Sequence, residues 1–258
     1  MQLRPLVQHV GAAILAGLVA GTLVAGVLGR IAMRVAGFLS RPELIGIETA
    51  NGNRVGEITL GGTIAIALFS GLAAGVLGGA LYASAEPWLR RVRPWHGLLF
   101  GFALLGGMGF TVIEPANFDF QRFGSAGLNV LMFAALFVVF GVLVAWLFER
   151  IRSTIGRGGA VPVIVEIAAW LAAALAALAL AAGVATSLGE VTSLEPGRIL
   201  SPRDVDGLVT AALFGTALVI PAIVRWRGLP PVIGYVAFAL PLIAGTLRTL
   251  DGLRQMLG

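Results

Sequence analysis

Long apolar stretches separated by short charged segments dominate this chain. A helix needs about 20 mostly apolar residues to cross the hydrocarbon core of a bilayer. Cutting the chain at its charged residues leaves seven stretches of roughly that length. The pattern predicts an all-α fold, a polytopic transmembrane helix bundle that forms a single integral membrane domain over residues 1–258. The predicted spans cover about residues 7–29, 58–83, 95–113, 126–148, 161–186, 207–224 and 230–247.

One connecting segment, between the first two predicted spans, carries a strand pattern instead. Residues 43–59 read ELIGIETANGNRVGEIT, with isoleucines before the dipeptide Asn51-Gly52 and apolar Val55 and Ile58 after it. Asn-Gly between short apolar runs favours the tight turn of a β-hairpin. We therefore predict a short β-hairpin in the 43–59 loop.

Small residues recur every four positions along the first two predicted helices. At 3.6 residues per turn, such a repeat forms a nearly straight stripe, and small stripes let two helix backbones approach closely in lipid. The two helices can pack against each other within one chain, which we favour, or against another subunit in a homo- or hetero-oligomer. The predicted packing residues are Gly17, Gly21, Gly71, Gly75 and Gly79, and the third helix adds Gly97 and Gly101.

Composition supports a membrane location and excludes several chemistries. Of the 258 residues, 58% are hydrophobic and 12% charged, with a mean hydropathy of +0.94. Soluble domains carry about 25% charged residues, so this chain has too little charge to cover a soluble globule. It contains no cysteine, and all 18 basic residues are arginine. Disulfides, thiolate nucleophiles and lysine Schiff bases are therefore excluded, and we predict no cofactor.

The charged residues suggest partners and an orientation. Arginines at helix ends favour membrane lipid, with its anionic head groups, over nucleic acid as the partner. Seven spans would place the N-terminus and the loops at 86–96, 149–157 and 225–229 on one side, where Glu86 and Glu149 are the only acidic residues. These net-positive loops predict an inner (cytoplasmic) membrane protein with a cytoplasmic N-terminus and an external C-terminus.

Charged residues also cluster at the opposite membrane boundary. Arg30 and Arg34 lie one helical turn apart, Glu57 opens the second predicted helix and Glu114 closes the third. The set is either a vestibule for an anionic or zwitterionic solute or, as we favour, a group of ion pairs that ties helix ends together. Glu166, the one acid inside a predicted span, is either a helix-end carboxylate or, less favoured, a proton or cation site.

The two histidines lie near the ends of predicted helices, and the chain lacks common enzyme motifs. His9 and His96 fall near helix ends, where we expect interfacial residues, with haem ligation or a proton relay with Glu166 as alternatives. The chain contains no zinc-protease HExxH motif, no GxSxG motif and no phosphate-binding loop. We predict no catalytic residue and no metal site.

Three segments resemble an uncharacterised family of multi-pass bacterial integral membrane proteins. They are GRIAMRVAG at 29–37, ETANGNRVGEITLGGT at 48–63 and NFDFQRFGSAGLNVLMFAALF at 117–137. The resemblance covers the first four predicted helices and implies a membrane fold, but it brings no activity and no site residue.

These observations favour a non-enzymatic membrane protein that acts through helix packing with partner proteins or lipid. The first alternative is a small-solute transporter or channel whose solute site is formed by the charged vestibule together with Glu166. The second is an intramembrane redox protein or enzyme.

Overall fold

The structure is a computed structural model that describes residues 3–40, 61–62, 64, 71–113, 125–155, 163–172, 174, 224 and 231–257. Over these residues the predicted all-helical class is confirmed, and they contain no strand. The hairpin predicted at 43–59 and most of the predicted spans at 161–186 and 207–224 lie outside them. The helices are α1 (Leu3–Gly21), α2 (Gly29–Phe38), α3 (Leu72–Leu89), α4 (His96–Met108), α5 (Ala126–Thr154), α6 (Val163–Ala172) and α7 (Pro231–Leu257).

Three of the described helical segments are long and apolar enough to cross a membrane: Pro5–Phe38, Ala126–Thr154 and Val232–Leu257. The first of them is continuous because π-helical residues Thr22–Leu28 join α1 to α2 without a break. This finding is compatible with a membrane location. The count of seven spans stays a prediction.

Several helices run past the ends that were predicted from charged residues. The first continues to Phe38 rather than ending near residue 29, α3 continues through Glu86 to Leu89, and α7 continues through Asp251 to Leu257. A charge does not by itself end a helix. Asp251 is exposed near the end of α7, where Gln255 donates a hydrogen bond to it, and Glu86 finds partners on another helix and on the next turn.

The helices form an up-and-down bundle. Helix α1 packs antiparallel to α3 and also contacts α5, while α4 packs between α5 and α7. One end of the bundle gathers the start of α1, the end of α3, the start of α4, the end of α5 and the start of α7, as an alternating topology requires. We call it the arginine-rich end, because it carries Arg90, Arg91, Arg93, Arg150 and Arg152.

Glycines bring the backbones of α1 and α3 into direct contact. A Cβ atom built on Gly75 would lie 2.6 Å from the Gly17 carbonyl oxygen, and one on Gly21 would lie 2.7 Å from the Gly75 nitrogen. A Cβ on Gly79 would lie 2.6 Å from the Ala13 carbonyl oxygen, and one on Gly71 would lie 2.9 Å from Thr22 Cα. Gly29, the next small residue at this spacing, stands apart from α3, since a Cβ there would have the Val24 carbonyl oxygen of its own helical segment, 3.7 Å away, as its nearest neighbour. The two stripes therefore meet within one chain, over residues 13–22 of the first helix.

A second glycine contact joins α4 to α5. A Cβ on Gly141 would lie 2.6 Å from the Gly97 carbonyl oxygen and 2.5 Å from Gly101 Cα. Gly97 and Gly101 were predicted as small positions, but their partner Gly141 was not. The spacing of Gly141 and Ala145, four residues apart, was the available signal.

Candidate functional site

An apolar cleft lies between α3, α4 and α7, toward the arginine-rich end. Its volume is about 210 Å³, and nearly all of its wall is carbon. Among its lining residues, only Trp88 and Tyr235 carry a side-chain nitrogen or oxygen atom. The lining residues are Leu81, Ala85, Trp88, Leu89, Phe100, Ala103, Leu104, Gly107, Met108, Phe110, Tyr235, Phe238, Pro241 and Leu242.

Helices α4 and α7 approach each other most closely beyond the cleft, around Gly107 and Gly245. A Cβ on Gly245 would lie 2.5 Å from the Gly107 carbonyl carbon, so the two parallel helices are in backbone contact there. One turn further along, the Thr249 hydroxyl donates a 3.3 Å hydrogen bond to the Gly106 carbonyl oxygen. Toward the arginine-rich end no such contact is present among the described residues, and the cleft occupies the space between the helices.

Aromatic rings line the cleft at the arginine-rich end. The Trp88 ring packs edge-on against Phe238, with centroids 5.2 Å apart, and lies 5.8 Å from the Tyr235 ring. Gly234 makes room for this indole, because a Cβ there would lie 2.5 Å from the Trp88 ring. Arg91, exposed on the short turn after α3, donates a hydrogen bond to the Tyr235 hydroxyl. An exposed arginine is therefore hydrogen-bonded to a residue that lines the apolar cleft, and we call this edge of the cleft its mouth.

The other charges at this end are arranged in two groups around glutamates. Glu86 is only 5% exposed, and its Oε1 lies 3.5 Å from the Arg152 guanidinium and 3.8 Å from that of Arg90. Glu149 accepts a hydrogen bond from Arg93. His96 Nε2 lies 3.3 Å from the same carboxylate, at ion-pair distance but outside hydrogen-bond geometry. The Glu86 contact with Arg152 connects the end of α3 to α5. The Glu149 contact with Arg93 connects the turn after α3 to α5.

His9 occupies a gap that a proline creates in α3. Pro87 lies in the last turn of α3 and has no N–H to donate to the carbonyl of Ala83, four residues earlier. His9 Nε2 lies 3.1 Å from that carbonyl oxygen, so the imidazole replaces the missing backbone donor. The ring is 8% exposed and packs edge-on against Phe148, with centroids 5.3 Å apart. His9 is thus a buried packing residue rather than an interfacial one.

The predicted vestibule is described only in part. Arg30 is 7% exposed, and its Nε has no hydrogen-bond partner in the part of the chain that the structure describes. Arg34, one turn later, is exposed, and its guanidinium lies 5.0 Å from the centroid of the Phe38 ring. Glu57 and Glu114 lie outside the described residues, so their pairing with Arg30 and Arg34 stays a prediction.

Glu166 does not share a site with those arginines. Its Oε1 accepts a 2.8 Å hydrogen bond from the Gln8 amide near the start of α1. Gln8 and Arg30 are separated along one continuous helix by roughly 30 Å, at about 1.5 Å per residue. Glu166 therefore belongs to the opposite end of the bundle, where it links α6 to α1.

Sequence reasoning missed the cleft because it missed the interface that shapes it. Pro241, Gly245 and Thr249 recur every four residues in α7, and all three are buried. A stripe of this kind marks a packing face just as glycines do. With the adjacent pair Gly106-Gly107 in α4, it was the available signal for the contact between α4 and α7.

No protein-family model, curated protein or solved structure matches this chain.

Proposed function

We propose that this protein is a multi-pass integral membrane protein that binds the acyl chain of a membrane lipid in the cleft between α3, α4 and α7. The observation that carries this proposal is the nearly all-carbon wall of the cleft. Its position among apolar helices gives it access to hydrocarbon chains. Beside it, α7 is one of the helices long enough to span a bilayer.

The size of the cleft supports a chain segment as the occupant. Dry apolar cavities of about 150 Å³ bind benzene, whereas drug-sized ligands need roughly 300–1,000 Å³. At about 210 Å³ the cleft holds a group somewhat larger than benzene but not a whole amphiphile. The chain would then lie in the cleft while the head group stays outside it.

A bulky substitution inside the cleft tests this proposal. Ala103 lines the cleft on α4, so Ala103→Phe should fill it and remove one retained lipid from the protein in native mass spectrometry. Leu99→Phe is the matched control, because Leu99 is exposed on the same helix and does not line the cleft. Equal lipid retention by the two variants and the unmodified protein would contradict acyl-chain binding in the cleft.

We also propose that the chain crosses the inner (cytoplasmic) membrane seven times, with the arginine-rich end on the cytoplasmic side. The support is that the positively charged segments 86–96 and 149–155 come together at one end of the bundle. Reporter fusions at Gly258 and within residues 150–157 should then report opposite sides of the membrane. The same side for both would refute the count of seven, and reversed polarity would refute the orientation alone.

Partner proteins, if any, would have to use surfaces other than the two stripes. Gly17 and Gly75 already contact each other's helix backbone within the chain. An oligomer formed through these glycines would require α1 and α3 to separate. We therefore assign membrane lipid as the first partner.

One observation favours the transporter or channel as a second candidate. Arg30 carries a buried guanidinium group whose Nε lacks a hydrogen-bond partner among the described residues, and buried charges in membrane helices often mark solute sites. Arg30→Gln should then abolish stabilisation of the protein by an anionic solute such as chloride or phosphate. Arg34→Gln, which changes an exposed arginine on the same helix, is the control. Equal responses from both variants would remove this candidate.

A further inference from the structure

The arginine-rich end carries more positive charge than its own carboxylates neutralise. Residues 86–93 and 149–152 at this end hold five arginines and two glutamates, a net charge of +3. Glu166, also at this end, accepts a hydrogen bond from Gln8. Glu86 forms ion pairs with Arg90 and Arg152, and Glu149 forms one with Arg93. Two arginines are left without a carboxylate partner among the described residues.

These two arginines are Arg91 and Arg150, and their positions differ. Arg150 lies on α5, away from the cleft, with its guanidinium 5.7 Å from the centroid of the Trp146 ring. Arg91 instead donates to the hydroxyl of Tyr235, which lines the cleft. A phenol is a neutral acceptor, so this hydrogen bond fixes the guanidinium at the cleft mouth and leaves its charge uncompensated.

An apolar cleft with an uncompensated arginine at its mouth matches the two parts of one kind of ligand. The acyl chain of a phospholipid fits the cleft, and its phosphate fits a guanidinium, which binds phosphate oxygens with paired N–H donors. A zwitterionic head group carries its own cation and gains less from Arg91 than an anionic head group does.

We propose that the cleft selects an anionic phospholipid and that Arg91 binds the head-group phosphate. This inference rests on the proposed function, because it requires that a lipid chain occupies the cleft. Tyr235 positions the guanidinium, and Arg90 and Arg93 on the same turn raise the local positive potential.

The size of the expected selectivity follows from the charge of one arginine. Each arginine near an anionic lipid surface contributes about 1 kcal/mol, which corresponds to about a fivefold change in affinity at 1.4 kcal/mol per tenfold. Arg91→Gln should therefore lower affinity for an anionic lipid about fivefold and leave affinity for a zwitterionic lipid nearly unchanged. Arg150→Gln removes the same charge from the same end and should change neither.

The experiment is a titration of the full chain in detergent, followed by native mass spectrometry. The probes are phosphatidylglycerol and phosphatidylcholine with identical acyl chains, and glycerol phosphate as the head group without chains. We expect the unmodified protein and Arg150→Gln to prefer phosphatidylglycerol and Arg91→Gln to lose that preference. We expect Ala103→Phe to lose site-specific binding of both lipids.

Four outcomes would overturn the inference. Equal binding of the two lipids to the unmodified protein would leave a lipid cleft without head-group selection. An equal loss of the phosphatidylglycerol preference in Arg91→Gln and Arg150→Gln would mean that the overall positive potential of this end, and not Arg91 itself, selects the lipid. Competition by glycerol phosphate at the lipid's own concentration would assign the site to a soluble phosphate compound. If neither lipid bound, the proposed function itself would fail.

Discussion

We predict that the hydrogen bond from His9 to the Ala83 carbonyl contributes to the free energy of unfolding because residue 87 is proline and supplies no backbone N–H. In His9→Phe a ring remains to pack against Phe148, but the donor is lost. The buried carbonyl then has neither the imidazole nor a backbone N–H as its partner. Leaving a buried acceptor unsatisfied costs about 1–3 kcal/mol.

Replacing Pro87 with alanine should remove most of that cost. Alanine supplies an N–H at position 87, which in a helix points at the carbonyl of residue 83. His9→Phe should therefore cost about 1–3 kcal/mol in the natural background and a small fraction of that in the Pro87→Ala background. The coupling energy between the two positions should be about 1–2 kcal/mol, in the range measured for residues that share one hydrogen-bond network.

The assay is a double-mutant cycle on the free energy of unfolding, measured by denaturant titration of the purified protein in mixed micelles. His96→Phe in the same two backgrounds is the control, because His96 lies beside Glu149 rather than the Ala83 carbonyl, so its effect should add to that of Pro87→Ala. An equal cost of His9→Phe with and without Pro87 would refute the reasoning, since the carbonyl would then not depend on the imidazole.

Three further predictions concern packing and charge. Gly75→Ala should lower the free energy of unfolding by about 1–3 kcal/mol, because its Cβ would lie 2.6 Å from the Gly17 carbonyl oxygen. The control Gly29→Ala should leave the free energy of unfolding unchanged. Equal effects of the two substitutions would mean that the two stripes do not meet. Glu86→Gln should cost about 1 kcal/mol at low salt and less in 1 M salt, since its arginine partners are half exposed, and a salt-independent loss would show that packing rather than charge is responsible. Gly245→Ala should push α7 away from α4 and reduce the lipid retained in native mass spectrometry, and unchanged retention would separate the cleft from this helix contact.

The contact between α1 and α3 was predictable because its signal is local and repeated. Small residues every four positions form a stripe on any helix, and the stripes of two successive antiparallel spans can face each other. The sequence could not show where the contact ends. Gly29 belongs to the stripe by spacing, yet it does not meet α3 within the described residues.

The ends of the helices and the cleft depend on relations between distant residues. Glu86 was read as a helix end because a lone carboxylate is costly in a membrane, but Arg152 from α5 and Arg90 one turn later give it partners. The cleft requires that α7 touch α4 at Gly245 and leave space nearer its start. Neither helix carries that information alone, so local patterns did not reveal the site.

Photolabelling with a phospholipid that carries a diazirine in its acyl chain measures occupancy of the cleft itself. After irradiation of the detergent-purified protein, peptide mapping should place the label on cleft residues such as Ala103, Leu104 and Leu242, and excess unlabelled lipid should compete it away. Labelling of the exposed residue Leu131 on α5 should persist under the same competition. Label confined to exposed surfaces, with none in the cleft before or after competition, would contradict the proposal that the cleft binds a lipid chain.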